Sequence, residues 1–168
     1  MTREVAARHV ESIVEISGNI ELASWQHWEP ANVMMELPRK WEFSLLLLHN
    51  SSAVGFLVAS VYRSNIVHIH QLAVIREFRG NGGATGLVKR LIELSRDRRM
   101  KALTLETPPD AAAAQRIYAS LSFEIIDDVV SLDRYLVDKQ KAKRQTKYYP
   151  ANQRGIRVWQ MELERIEP

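Results

Sequence analysis

A chain of 168 residues with 46% hydrophobic content holds enough apolar side chain for one globular domain spanning 1–168. It has no cysteine, which excludes a disulfide framework and a cysteine nucleophile, and no metal site is expected. The polar start over residues 1–10 lacks the apolar core of a signal peptide and no apolar run approaches the ~20 residues that span a bilayer, so a cytoplasmic protein off the membrane is expected; a formal charge of +3 is too small to imply nucleic acid.

In chain order, Val10, Ile13, Val14 and Ser17 predict a helix over 6–20, stopped at Gly18-Asn19, with room for a short strand before it. Pro30 opens a second short helix, 30–37, flanked by Trp25, Trp28 and Trp41, to which no role beyond packing is assigned. The β-rich runs 42–49 and 53–62, separated by Asn50-Ser51-Ser52, predict a hairpin, and Arg63-Ser64-Asn65 makes the next turn. A bulky strand follows over 67–74, then the glycine-rich turn 79–84. Ala84, Leu87, Val88, Leu91 and Ile92 form the apolar stripe of a helix that crosses to a parallel strand at 102–106. Thr107-Pro108-Pro109-Asp110 offers an N-cap, a proline and an acid for a helix running to Leu121, with Ala114, Ile117, Tyr118 and Leu121 on its buried stripe. A strand ending at Val129-Val130 comes next, then a helical stretch over 131–146 and a last strand over 156–163. Lys139, Lys141, Lys143, Arg144 and Lys147 in the stretch before that strand read by default as a solvated face, with an acidic acceptor, the phosphate-rich end of a cofactor or ribosomal RNA as the alternatives left open.

The strand, turn and helix at 67–91 carry the chemistry. The first N–H groups of a helix have no intrahelical partner and sit at its positive end, so an anion suits the turn. Glycines let the backbone approach a diphosphate, and Arg79 can add a positive charge beside it. Two ligand classes fit: a dinucleotide on a Rossmann unit, or the pyrophosphate of coenzyme A. Gly80, Gly82 and Gly86 with Glu106 give the Rossmann case some support, but the glycine spacing is one residue too long and the upstream strands lack βαβ crossovers. A P-loop is excluded, because no Gly-Lys-Ser/Thr follows.

Arg79, Gly82 and Ala84, placed between strand and helix, resemble the Arg/Gln-x-x-Gly-x-Gly/Ala signature of the GNAT superfamily of acyl-CoA-dependent N-acyltransferases, and the order of elements matches over nearly the whole chain. The resemblance implies an α/β fold, a mixed twisted sheet with helices on both faces in a single domain. It implies acetyl-CoA as co-substrate, with the pantetheine arm paired to Leu72, Ala73 and Val74 and the pyrophosphate on Arg79, Gly80, Asn81, Gly82, Gly83, Ala84 and Thr85.

Amide formation from a thioester needs a base for the amine and, preferably, an acid for the departing thiolate. His68 and His70 alternate on one strand face, and their run through Leu72, Phe78 and Arg79 is similar to that of arylalkylamine N-acetyltransferases, where two such histidines serve the proton path. Glu106 and Tyr118 instead keep an interval found in bacterial ribosomal-protein alanine N-acetyltransferases, which Lys147-Tyr148-Tyr149-Pro150 also resembles. Ala111, where many members have asparagine, and Ser122, where glycine is usual, depart from that pattern. The base is therefore Glu106 or the His68–His70 pair, with Tyr118 as acid. The acceptor is an amine-bearing small molecule, a protein N-terminus or a lysine, and transfer is direct because no cysteine can carry the acyl group. A non-catalytic acyl-CoA-binding regulatory protein is the alternative from another class, and a homodimer is left open.

Overall fold

The computed structural model of the chain describes residues 1–20, 27–62, 65–108, 111–129 and 156–163. Among these, one mixed sheet has the order β1-β2-β3-β4-β6-β5. Its strands are β1 Leu45–His49, β2 Ser52–Val61, β3 Ile66–Val74, β4 Ala102–Thr107, β5 Glu124–Val129 and β6 Ile156–Glu162. β3 and β4 run parallel and the other neighbours antiparallel. A parallel pair needs a crossover, which α5, Gly83–Asp97, supplies. Helices α1 Arg3–Arg8, α2 Val10–Gly18, α3 Pro30–Met34, α4 Lys40–Phe43 and α6 Ala112–Ser120 complete the chain.

The sheet is packed on both faces, as the sequence predicts. On one face Leu57, Ala59, Val67, Ile69, Leu103, Leu105 and Trp159 join Leu87, Val88 and Leu91 of α5 and Tyr118 of α6. On the other, Phe56, Val58 and Ala73 meet Ile13 and Ile16 of α2 and Val33 of α3. Alternation along β2 sends successive residues into the two cores. No helix among the described residues is long and apolar enough to cross a membrane.

Several boundaries differ from expectation. The helix expected over 6–20 is two helices meeting at His9, and the first begins at once from Thr2, whose Oγ1 accepts from Val5 N at 3.3 Å; a helix, not a strand, comes first. The expected strand start at Glu42 and Phe43 is the short helix α4, because Phe43 turns into the core and Ser44 Oγ bonds both the carbonyl and the amide of Ala59 at 3.2 Å, fixing where β1 can begin. Helix α3 ends at Met34 rather than residue 37, though Pro30 does open it, inside a capping box of Glu29 with Asn32. The hairpin turn is the pair Asn50 and Ser51, φ 48° and 67°, which leaves Ser52 in β2 paired with His49.

Thr107 does not cap α6. It ends β4, where its Oγ1 accepts from Trp159 Nε1 at 2.9 Å, and α6 starts at Ala112 behind Ala111, which offers no side-chain cap. Ser122 takes φ 65°, the left-handed conformation for which glycine is the cheaper residue, and so explains the usual glycine there. Strand β6 ends one residue before Leu163. Trp25, Pro109, Asp110, the end of the strand at Val130, the basic stretch 131–146 and Lys147-Tyr148-Tyr149-Pro150 lie outside the described residues.

Candidate active site

The sheet opens between its two parallel strands. β3 pairs β4 from Ile66↔Ala102 to Ile69↔Leu105, while its other edge stays bonded to β2 out to Gly55↔Val74. β4 stays with β6 to Thr107↔Arg157. Residues 70–74 of β3 and Glu106 and Thr107 of β4 therefore border a gap, and no described strand pairs that edge of β3 beyond Ile69. An extended ligand can bond such an edge as a strand would. Leu72, Ala73 and Val74, expected to hold the pantetheine arm, line it.

Beyond Val74 a short 3-10 turn, Arg76–Phe78, leads into the glycine turn and α5. Gly80 and Gly82 have φ 80° and 78°, where a side chain would be strained, and Gly82 is the N-cap of α5. Gly86 N–H is the first amide of α5 to bond back, to Gly82 O at 2.8 Å. The amides of Gly83, Ala84 and Thr85 thus stand at the positive helix end with no intrahelical acceptor. A Cβ at Gly80 or Gly82 would meet nothing within 4 Å, so this side of the turn is open to an anion, whereas a Cβ at Gly83 would lie 2.8 Å from Leu47 Cδ2. Arg79 differs from the simple expectation. Its Nε donates to Val74 O and its Nη2 to Asn19 O, both at 2.9 Å, so the guanidinium braces the turn against the ends of β3 and α2.

A polar row occupies the sheet face that packs against α2 and α3. On β4 Leu103 and Leu105 enter the opposite core, which sends Thr104 and Glu106 to this face. His68 Nδ1 is bonded to Thr104 Oγ1 at 3.0 Å, and His70 Nε2 to Ser60 Oγ at 2.7 Å. The two imidazoles meet edge-on, 5.1 Å apart. They share a face, as predicted, but simple alternation does not set their neighbours: Val58 pairs Gln71 and Ala59 pairs Ile69, which makes His70 the extra residue of a bulge. Gln71, 1% exposed, consequently also faces α2, where its Nε2 donates to Ser17 Oγ at 3.0 Å.

Burial, helped by the charges of His68 and Lys40, pushes His70 down to about 3. An imidazole with so little proton affinity is a poor base for an ammonium near pKa 8. It also has a stability consequence. The unfolded chain binds a proton at His70 near pH 6.5 while the folded chain does not until about 3, so the unfolded state holds more protons through that window. The stabilisation is complete above pH 6.5 and is lost as pH falls. Melting curves should therefore show a smaller drop in Tm between pH 7 and 4.5 for His70→Gln than for wild type, by ~5 °C; equal drops would reject the assignment.

Tyr118 stands on the other face. It is 4% exposed, its ring lies 5.5 Å from Phe123 and 6.3 Å from Trp159, and burial pushes the phenol above its usual range. Glu106 and Tyr118 thus project on opposite sides of the sheet. The partners Ser60, Thr104 and Ser17, and the buried Lys40, escape a reading of the sequence alone. The first three become visible only through strand register and helix packing. For Lys40, the apolar Trp41 and Phe43 around it are the one local signal of burial.

The sequence profile of the acetyltransferase (GNAT) family matches residues 10–123. N-alpha-acetyltransferase 30 of Schizosaccharomyces pombe is 33% identical over 86 residues, 49% of this chain; the match spans 57% of that relative's length. Among solved structures, Ard1 from Thermoplasma volcanium is similar with a TM-score of 0.74 at 21% identity, over 98% of this chain and 95% of that one. The ribosomal-protein alanine N-acetyltransferase of Escherichia coli gives 0.69 at 18%, over 98% and 90%. Arabidopsis thaliana Naa50 gives 0.66 at 16%, over 92% and 93%.

Proposed function

Because the chain belongs to the acetyltransferase (GNAT) family, we propose that it moves an acetyl group from acetyl-CoA directly to a primary amine, and that the preferred acceptor is the α-amino group of a peptide or protein N-terminus. The gap between β3 and β4, next to the glycine-capped start of α5, carries this reading. It offers, at Leu72 to Val74, an edge that no described strand pairs for the pantetheine arm, and at 83–85 helix amides without an intrahelical acceptor for the pyrophosphate, so the residues present fit the co-substrate. Support for the acceptor comes from the curated relative, named for N-alpha acetylation, and from the Naa50 structure, which holds the bisubstrate analogue CoA-Ac-MVNAL. The cytoplasm is the proposed compartment.

In this reading the amine approaches from the face that carries Glu106, which takes the ammonium proton directly or through one water. The free amine adds to the thioester carbonyl and the new C–N bond forms; the nitrogen then gives up its second proton to solvent as collapse breaks the C–S bond, and the released thiolate takes up a proton from solvent. The Tyr118 hydroxyl, kept protonated by burial, donates a hydrogen bond to the departing sulfur from the opposite face. An α-ammonium near pKa 8 asks less of the base than a lysine near 10.4, which also favours N-termini. The second reading, an arylalkylamine acceptor with His68 and His70 as the proton path, is supported by their shared face and weakened by the low proton affinity of His70.

Thiol release from acetyl-CoA with a panel of amines tests the proposal, alongside melting curves with each cofactor. Acetyl-CoA should raise the Tm as ln(1+[L]/Kd), and peptides with a free N-terminus should turn over faster than tryptamine-like amines. Protection without turnover on any amine would favour a non-catalytic acyl-CoA-binding protein, and protection by NADH but not coenzyme A would overturn the cofactor.

A further inference from the structure

Lys40 is fully buried, 1% exposed, and the scheme above gives it nothing to do. Its ammonium donates to the carbonyls of Val33 at 2.7 Å, Met35 at 2.8 Å and Asn32 at 3.3 Å, and lies 4.8 Å from the centre of the Trp41 ring. The carbonyls belong to the end of α3. A helix of five residues cannot satisfy its own last carbonyls, and a cation at a helix C-terminus is favoured by the dipole. Burying a charge without a bonded carboxylate is costly all the same, and an apolar side chain of similar volume would avoid that cost.

What the ammonium holds in place is more telling than its own energy. Val33 of α3 packs with Phe56, Val58 and Ala73, on the sheet face that bears His68, His70, Thr104 and Glu106. Ala73 lies in the part of β3 that borders the gap, and the Lys40 charge reaches His70. We propose that Lys40 is a positioning residue for the acceptor amine: by clamping three carbonyls at the end of α3 it fixes the wall that faces the reacting amine. The proposal rests on the N-acetyltransferase reading and deepens it.

The clamp depends on charge. Burial pulls Lys40 down to about 8, with Glu36 opposing the shift, and a neutral amine has two N–H groups for three carbonyls. The other titratable and charged groups around it are His70 on β3, neutral over this range, Arg39 at the N-cap of α4 and Glu42 within it, Arg3, paired with Glu36, and the Met1 amino group, which donates to Ser44 O at 2.6 Å. Arginine stays charged throughout and can reach several carbonyls at once.

The test compares wild type, Lys40→Arg and Lys40→Met with acetyl-CoA and a peptide amine, from pH 7 to 9.5. Lys40→Met should leave the Kd for acetyl-CoA within about twofold and raise the acceptor KM roughly tenfold, and Lys40→Arg should recover most of the loss. Between pH 8 and 9.5 the wild-type acceptor KM should rise relative to that of Lys40→Arg; the ratio cancels titration of the peptide's own amine. Should Lys40→Met fail to fold, the arginine variant and this pH ratio still decide. A lower Tm with unchanged acceptor KM, or a flat pH ratio, leaves Lys40 a structural residue and overturns the proposal. Wild-type binding of acetyl-CoA without turnover of any amine overturns the function above, and this inference with it.

Discussion

Glu106→Gln is expected to lower kcat for a peptide acceptor by about 10²- to 10³-fold, with little change in the affinity for acetyl-CoA. The substitution keeps the shape and the strand but removes the proton acceptor on the face where Thr104 and Glu106 project together. Position in the sheet argues for it: Glu106 is the first residue of β4 beyond its last pair with β3, so it stands at the mouth of the gap. Loss of a base should also show in the pH dependence, because the variant must wait for amine that has already lost its proton. Its rate should climb with pH until the acceptor's α-amine is deprotonated, near 8, and its deficit should shrink there. His70→Gln, by contrast, should leave kcat/KM near neutral pH almost unchanged, since an imidazole that gains its second proton only near pH 3 is too weak a base for an ammonium. A large loss in His70→Gln with none in Glu106→Gln would reverse the assignment and restore the arylalkylamine reading.

How much of this was legible depended on whether the determinants were local. The unit from β3 through the turn to α5 was, because its glycines at 80 and 82 serve left-handed backbone that few other residues adopt, and the stripe from Leu87 to Ile92 has one period. The parallel crossover followed from that order of elements. Long-range partners were hidden. Thr107 before two prolines has the form of a helix cap, yet its hydroxyl is taken by Trp159, a residue on another strand. Glu42 and Phe43 lead into β1, and the strand pattern extends back over them; tertiary packing of Phe43 and the hold of Lys40 on the carbonyls at the end of α3 make a helical turn there instead. The bulge at His70 is silent in the sequence, because both histidines reach the same face with or without the extra residue. Arg79 illustrates the converse. Its place in the signature is plain, but its two carbonyl partners, Val74 and Asn19, are set by where α2 ends.

Tyr118→Phe should fold as well as wild type and bind acetyl-CoA equally, while kcat falls by about 10- to 10²-fold. The ring is what the core uses: Tyr118 packs against Phe123 and Trp159, and phenylalanine preserves those contacts. The hydroxyl is what the reaction would use. Burial raises its pKa above the ordinary phenol, which makes full proton transfer to a thiolate, of pKa near 8.5, less favourable than donation of a strong hydrogen bond in a dry setting. That distinction is measurable. If hydrogen bonding to the departing sulfur is the role, the deficit should be nearly constant with pH up to 9, because the phenol stays protonated throughout, and it should shrink with acyl donors whose leaving thiol is more acidic. A deficit that instead shrinks as pH rises toward 9 would mean that the phenol loses its proton in that range and that only its protonated form assists. Unchanged kcat, in a variant of unchanged stability, would leave Tyr118 as packing for the face that holds α5, and the thiolate would then depart with its charge met by the helix amides alone.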